Sequence, residues 1–189
     1  ILNKIKMQQK EEKLNNLKKE LNIINNKIQK AIDRIVLLHA VCASMPSIFF
    51  IYYGDEIGEL NDYSGEDNSM DTRYLLRGHF NWNDTEKIDN DENSYQSKIF
   101  NGIKSLIDAR LSFPSFTENK KTIIINGYSF NQYNNNDDDD SIMKNKKMEI
   151  DQSLLIFKRI RNDGYLIFIF NFCEYKRSVF IKKKDVVGK

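Results

Sequence analysis

Apolar residues recur along the first forty positions in alternating steps of three and four. Leu14, Leu17, Leu21, Ile24, Ile28, Ala31, Ile35 and Leu38 carry the pattern, and neither Gly nor Pro occurs between Lys4 and Leu38. This seam predicts one helix with about three and a half heptads. Past Ile32 the apolar arc widens to include Ile35, Val36, Leu38 and Val41, as on a helix lying against a sheet. The preferred reading is an amphipathic helix to about Ala43, with a solvated Asn- and Lys-rich first part and packed last turns. The other reading is a coiled coil that recruits a partner or a second copy through Leu14–Leu38. Pro46 then disfavours helix at Met45 and turns the chain.

From Ser47 to Tyr53 the pattern changes to an unbroken strand-like run, Ser-Ile-Phe-Phe-Ile-Tyr-Tyr. A strand apolar on both faces is expected inside a parallel sheet. Gly54-Asp55-Glu56-Ile57-Gly58 follows at once. Polar groups just past the carboxyl end of such a strand stand where α/β enzymes place their active sites. A long acidic loop is predicted next, running about forty residues, a length usually functional or disordered. Ser94 can cap a further helix, and Ile99, Phe100, Ile103, Leu106, Ile107 and Arg110 follow its period until Ser112-Phe113-Pro114.

Beyond Phe116 the pattern is β. Lys121–Tyr128, Ser153–Arg159, Tyr165–Phe170 and Ser178–Lys182 are candidate strands, and Asp163-Gly164 marks a hairpin between the second and third. The polar tract 131–147, with its run Asp137–Asp140, is expected to be a disordered insert. Its four consecutive acids lack the spacers and turn glycine of a calcium loop. The chain therefore divides into a charged helical extension (1–30), an α/β part (31–116) and a β part (117–189).

Composition narrows the functional classes. The 189 residues carry 29 Lys and Arg against 27 Asp and Glu, a net charge of +2. Residues 53–93 hold twelve acids and three basic residues, which opposes phosphate-rich partners there and suits neutral polyols, metal ions or plain solvation. No nucleic acid or membrane partner is expected; no apolar run approaches the roughly 18 residues of a membrane span. The charged amino end lacks the apolar centre of a secretory signal. Cys42 and Cys173 lie in apolar patterns and read as buried free thiols in a reducing, cytoplasmic compartment. No phosphate loop, Cys/His metal spacing or nucleophile elbow is present, so no metal or cofactor is expected.

The candidate chemistry gathers on the acidic loop. Asp55 and Glu56, being adjacent, point in different directions and cannot by themselves flank one bond as a hydrolytic pair. Each either faces a pocket or braces the loop. Asp71, Arg73 and Arg77 form a second group, in which an arginine can hold neighbouring carboxylates ionised. Tyr53, Tyr63, Phe80 and Trp82 can offer flat faces to a sugar, whereas Tyr52 reads as core. His39 reads as a packing residue of the helix, and His79 as a loop contact.

Taken together, Tyr-Gly-Asp-Glu-Ile-Gly after an apolar strand resembles the last barrel strand of the α-amylase superfamily, glycoside hydrolase family 13. Leu60-Asn61-Asp62-Tyr63 with Asp71-Thr72-Arg73-Tyr74 is similar to the amylosucrase branch, where an Asp-x-Arg-Trp motif occupies this place. Ile99–Ile107, Ala109-Arg110 and Pro114-Ser115-Phe116 resemble the closing barrel helix. Leu155–Arg159 and Phe170-Asn171-Phe172 resemble the carboxyl-terminal β domain.

The resemblance implies an α/β plus β fold: the last α-β-α part of a (β/α)8 TIM barrel, then a partial antiparallel β-sandwich. It implies retaining glucosyl transfer or hydrolysis on sucrose or an α-glucan, with Arg73, Asp55, Glu56, Asp62, Asp71 and His79 at the substrate. The family's nucleophile, acid/base and third essential Asp, and the Asp that partners the Arg73-like arginine, have no counterpart in this sequence. A carboxyl-terminal fragment, inactive alone, is the expectation. Two departures stand out. Ser47-Ile48-Phe49 replaces the usual Gly-x-Pro, and Leu76-Arg77-Gly78 replaces His-Arg-Pro, which alters the acceptor side of the pocket. The alternative is a diverged or truncated, non-catalytic chain acting through its long helix.

Overall fold

The computed structural model describes residues 2–63, 75, 80–113, 116–118, 120–130 and 148–187. They form two compact units. The first comprises residues 1–43 and 48–112, and the second residues 44–47 and 113–189.

The first unit is helical. Helix α1 spans Leu2–Ser44, α2 spans Asn83–Asn90 and α3 spans Tyr95–Leu111. The helix predicted to about Ala43 is present. Its residues 6–31 are exposed throughout, and packing begins at Ile32. Ile32, Ile99 and Ile103, each no more than 5% exposed, form the core of this unit, flanked by Ile35, Ile51, Tyr95 and Ile107. The helices approach closely at Gly102, where a Cβ would lie 2.7 Å from a Val36 methyl. Arg110 ties α3 to the last turn of α1 by donating from Nη1 to the Ala43 carbonyl at 2.6 Å. Ser94 caps α3 as its sequence predicts, its hydroxyl accepting from the Ser97 N–H at 3.1 Å.

Helix α2 lies inside the stretch expected to be loop. It has no buried residue, so no apolar period announces it. Local polar contacts hold it: Asp84 accepts from Lys87 at 2.6 Å and from Gln96 at 3.3 Å, and its first turn carries Asp84 and Glu86.

The expected buried strand at 47–53 is corrected. Ile48–Tyr52 is assigned to no strand, and no backbone hydrogen bond among the described residues involves Ile48 to Ile51. Its side chains nevertheless alternate. Ile48 and Phe50 are 77% and 81% exposed, while Phe49 and Ile51 are half-buried. The segment thus has the period of a strand without the ladder.

In the second unit β1 (Lys121–Ile125), β4 (Leu154–Ile160) and β5 (Tyr165–Asn171) form an antiparallel sheet with β4 in the centre. β2 (Tyr128–Phe130) pairs antiparallel with β3 (Met148–Ile150). The Asp163-Gly164 hairpin forms where predicted, in register Ile160 to Tyr165, and Gly164 takes φ +143°. Ser178–Lys182 does not form a strand. It contributes one bridge, Phe180 to Tyr128, before the short helix α4 (Lys183–Val187). The tract 131–147 lies outside the described residues.

Central position explains the burial of β4 on both faces, Ile156 to Arg159 being covered. Phe157 stacks on Phe168 at 5.0 Å. Arg159 is fully buried. Its guanidinium donates to the carbonyls of Ser44 at 2.7 Å, Glu118 at 3.0 Å and Phe116, and lies over the Phe116 and Phe168 rings at 5.1 and 5.7 Å. Lys158 keeps its amine satisfied by donating to the Val186 carbonyl at 3.1 Å. Asp151, its side chain 6% exposed, accepts from the Ser153 N–H at 3.0 Å and hydroxyl at 2.6 Å. Those Ser153 bonds, with Arg177 3.5 Å away, hold its carboxyl below the usual range despite its burial.

Arg159→Leu keeps the volume roughly constant but strands carbonyls of three separate residues. Loss of about 3 kcal/mol or more of stability is expected, since each buried carbonyl left without a donor costs about 1–3 kcal/mol. Thermal melting followed by near-ultraviolet dichroism checks it; a variant that melts with the parent contradicts the assigned role.

Candidate functional site

The acidic turn is built by two glycines. Gly54 and Gly58 have φ +89° and +67°, a left-handed geometry that folds the chain back on itself. Between them Asp55–Ile57 makes one 3₁₀ turn whose Ile57, 3% exposed, anchors it in the protein. The turn closes when the Glu59 N–H donates to the Gly54 carbonyl at 2.9 Å. A Cβ on Gly54 would come within 2.9 Å of Glu59 Cβ, and one on Gly58 within 2.4 Å of Ile99 Cδ1. Both glycines are therefore needed for conformation and for space.

The turn opens onto a pocket of about 250 Å³ lined by Tyr52, Tyr53, Asp55, Glu59, Leu60, Asn61 and Leu75. Tyr52, expected in the core, is 49% exposed and pairs with Tyr53 at 4.8 Å between ring centres. The correction follows from the missing ladder: with no neighbouring strand among the described residues, the Tyr52 face of the segment has no sheet to pack into. Asn61 donates to the Tyr63 hydroxyl at 3.4 Å. The Asp62 N–H donates to the Leu75 carbonyl at 3.0 Å, which fixes the far wall.

The two adjacent carboxylates separate as their positions require. Asp55 lines the pocket, its side chain 51% exposed. Glu56 is half-buried, and its Oε2 is sealed from solvent with no hydrogen-bond partner among the described residues. His39 faces Asp55: its Nδ1 donates to the Ile35 carbonyl at 2.9 Å, leaving Nε2 3.9 Å from Asp55 Oδ2. The two form an ion pair only when Nε2 also carries a proton. His39, a packing residue by its place in the helix pattern, also serves as the neighbour of a pocket acid. Glu59 is a lining residue that the sequence reading does not single out. Burial first, then the charges of Asp84 and Glu56, push its carboxyl above its ordinary value. The only sequence signal for it is its position directly after the second turn glycine.

Phe80 and Trp82 meet edge to face at 4.8 Å, with Trp82 74% exposed. Asp71, Arg73, Arg77 and His79 lie outside the described residues. Of the expected substrate contacts, then, Asp55, Glu56 and Asp62 share one turn and its exit, and of these Asp55 reaches the pocket. Among the described residues no group of three or more His, Cys, Asp or Glu is placed to hold a metal ion. None of their helices is long and apolar enough to cross a membrane. Cys42 and Cys173 are free thiols, but the expected burial of both is corrected: Cys42 is exposed and Cys173 half-buried. No known protein-family model matches the chain.

A pocket with two acids, an amide and two phenol rings supplies hydrogen-bond acceptors, donors and flat apolar faces together. That mixture suits a neutral polyol better than an anion.

Gly58→Ala is expected to cost about 1–3 kcal/mol, since it combines left-handed strain with overpacking on Ile99. Chemical denaturation measures it. Glu59→Gln works in the opposite direction. A raised carboxyl binds its proton more tightly in the folded chain, so its contribution falls as pH rises above the ordinary value of 4.5. The Gln variant should therefore melt higher than the parent at neutral pH and converge with it below pH 4.5; equal melting at both pH values contradicts the burial argument.

Proposed function

We propose that this chain supplies the closing wall of a sugar pocket in an α-glucoside-active enzyme resembling the amylosucrase branch of glycoside hydrolase family 13. The whole enzyme would carry out retaining glucosyl transfer or hydrolysis on sucrose or an α-glucan. In this reading residues 31–116 are the last α-β-α part of a (β/α)8 barrel and 117–189 a carboxyl-terminal β domain. A cytoplasmic setting goes with it.

The observation that carries the reading is the segment Ile48–Tyr52. It alternates like a strand, packs Ile51 on the α1–α3 core, and makes no backbone pair over Ile48–Ile51 with any described residue. Unpaired backbone flanked by apolar side chains is what an internal strand presents when its two neighbours are supplied by other segments. The acids, tyrosines and asparagine appear directly at its carboxyl end, the end at which (β/α)8 enzymes bind substrate.

In this mechanism the chain's residues bind and orient. Asp55 and Asn61 accept from and donate to sugar hydroxyls, Tyr52 and Tyr53 cover an apolar sugar face, and Arg73 with Asp71 and His79 completes the glucose side. Bond cleavage belongs to carboxylates that this sequence does not contain.

Saturation-transfer NMR with maltose and sucrose tests the reading. Binding on the order of 1 mM, worth about −4 kcal/mol, is expected. Asp55→Asn together with Asn61→Ala should abolish it, and sucrose turnover by this chain alone should be absent. Failure of both sugars to bind, or turnover by the chain alone, would overturn the proposal.

A further inference from the structure

The heptad seam of α1 splits into two parts with different fates. Ile35, with Ile32 beside the seam, packs in the first unit's core, while Met7, Leu14, Leu17, Leu21, Ile24 and Ile28 before it stay 44–63% exposed and Leu38 after it is 59% exposed. A helix of this length does not keep an apolar stripe in water without cost, since each side chain gains free energy on burial. The stripe follows a and d positions over three heptads, the pattern of a two-stranded seam.

We propose that two copies of this chain associate through residues 7–24 of α1 as an antiparallel coiled coil. The charges flanking the seam select this arrangement. With Leu14 at a and Leu17 at d, positions e hold Glu11 and Lys18, and positions g hold Lys13 and Glu20. In the antiparallel register that sets Leu14 opposite Leu17 of the second copy, Met7 faces Ile24, and Leu21 faces the stem of Lys10, whose amine reaches solvent. Lys13 then meets Glu20, and Glu11 meets Lys18, each twice by symmetry. The like-charged pair Lys6–Lys27 falls at the ends, where solvent screens it. A parallel pairing instead stacks Lys10 on Lys10 in the seam and sets Lys13 beside Lys18, with only Lys6–Glu11 in favour.

The next antiparallel register, centred three and a half residues further on, sets Leu17 opposite Leu21 but places Glu20 on Glu20, Lys18 on Lys18 and Lys13 on Lys27. The one after it would lay the second helix along the stripe beyond Ile32, where Ile99 and Ile103 already pack. The chosen register is thus the one that buries the open stripe from Met7 to Ile24, matches the charges and avoids the covered part of α1.

Sedimentation equilibrium of the full chain should give a mass near twice 22.3 kDa. Glu20→Lys turns two attractive pairs into repulsive ones and should weaken the dimer roughly tenfold. Lys13→Glu added to Glu20→Lys restores the pairing and should recover it, with helicity unchanged in all three chains. Orientation is read by disulfide trapping. In a Cys42→Ser, Cys173→Ser background, a chain carrying Met7→Cys and a chain carrying Ile24→Cys are mixed and mildly oxidised. Mixed disulfides that join the first variant to the second support the proposal. A monomer at about 100 μM, well above the micromolar range of a stable dimer, overturns it. So do disulfides that link the Met7→Cys chain chiefly to itself, or no recovery by the double charge swap.

Discussion

A single buried guanidinium organises the second unit. Arg159 sits in the middle strand of a three-stranded sheet, wholly out of water, and directs its donors to main-chain carbonyls of Ser44, Phe116 and Glu118. One of those carbonyls ends helix α1, where no intrahelical donor follows, and the other two lie in the irregular segment before β1. Buried carbonyls must find donors, and a planar fork with five N–H groups can serve several at once where a lysine could not. Flat packing against Phe116 and Phe168 replaces part of the lost hydration. This is why residues 44–47, far away in sequence, belong to the compact unit built from 113–189. The sheet can exist through its own pairing, but the places where its connecting segments lie depend on this one side chain.

In the first unit the equivalent constraint is apolar. Three isoleucines from α1 and α3 make the core, and the segment 48–52 touches it through Ile51. Everything at the pocket follows from how that segment ends. Gly54 and Gly58 reverse the chain within five residues, Ile57 pins the reversal, and Asp55 is left facing out beside His39. The pocket's acidity and its half-exposed tyrosines have a common origin. They belong to, or directly follow, an apolar segment whose residues 48–51 find no backbone pair among the described residues.

Much of this is legible in the sequence, for identifiable reasons. Helices α1 and α3 announce themselves because their apolar faces repeat at the helical period, and Ser94 marks the start of α3. The β4–β5 hairpin follows from Asp163-Gly164 between two apolar runs. Helix α2 is hidden because nothing in it is buried; its hydrogen bonds are polar and local, and such polarity reads as loop. Residues 47–53 mislead in the opposite direction. β-branched and aromatic composition specifies a surface suited to a sheet, but the ladder requires partners that composition alone does not supply. At the site, Asp55 is marked by its place after the apolar run. Glu59 escapes a sequence reading because its perturbation comes partly from Asp84, distant along the chain, and the proximity that pairs them is not written in any local motif.

The exposed half of α1 raises the question of what makes a long helix stable. Isolated helices gain little from propensity, and most helical stability in proteins comes from burying one face. Here the stripe is open as far as Ile28, Ile32 and Ile35 pack with α3, and Leu38 is exposed again at 59%, although the heptad pattern runs through from Leu14 without a break. A sequence that served only solvation would have no reason to keep Leu14, Leu17, Leu21, Ile24 and Ile28 in phase. It would have still less reason to place opposite charges along each flank, Glu11 with Lys18 on one side and Lys13 with Glu20 on the other. An antiparallel copy brings the members of each flank together, so opposite signs within one flank are a property of a surface matched to itself. They separate the first part of the helix, suited to a copy, from the second part, which meets α3.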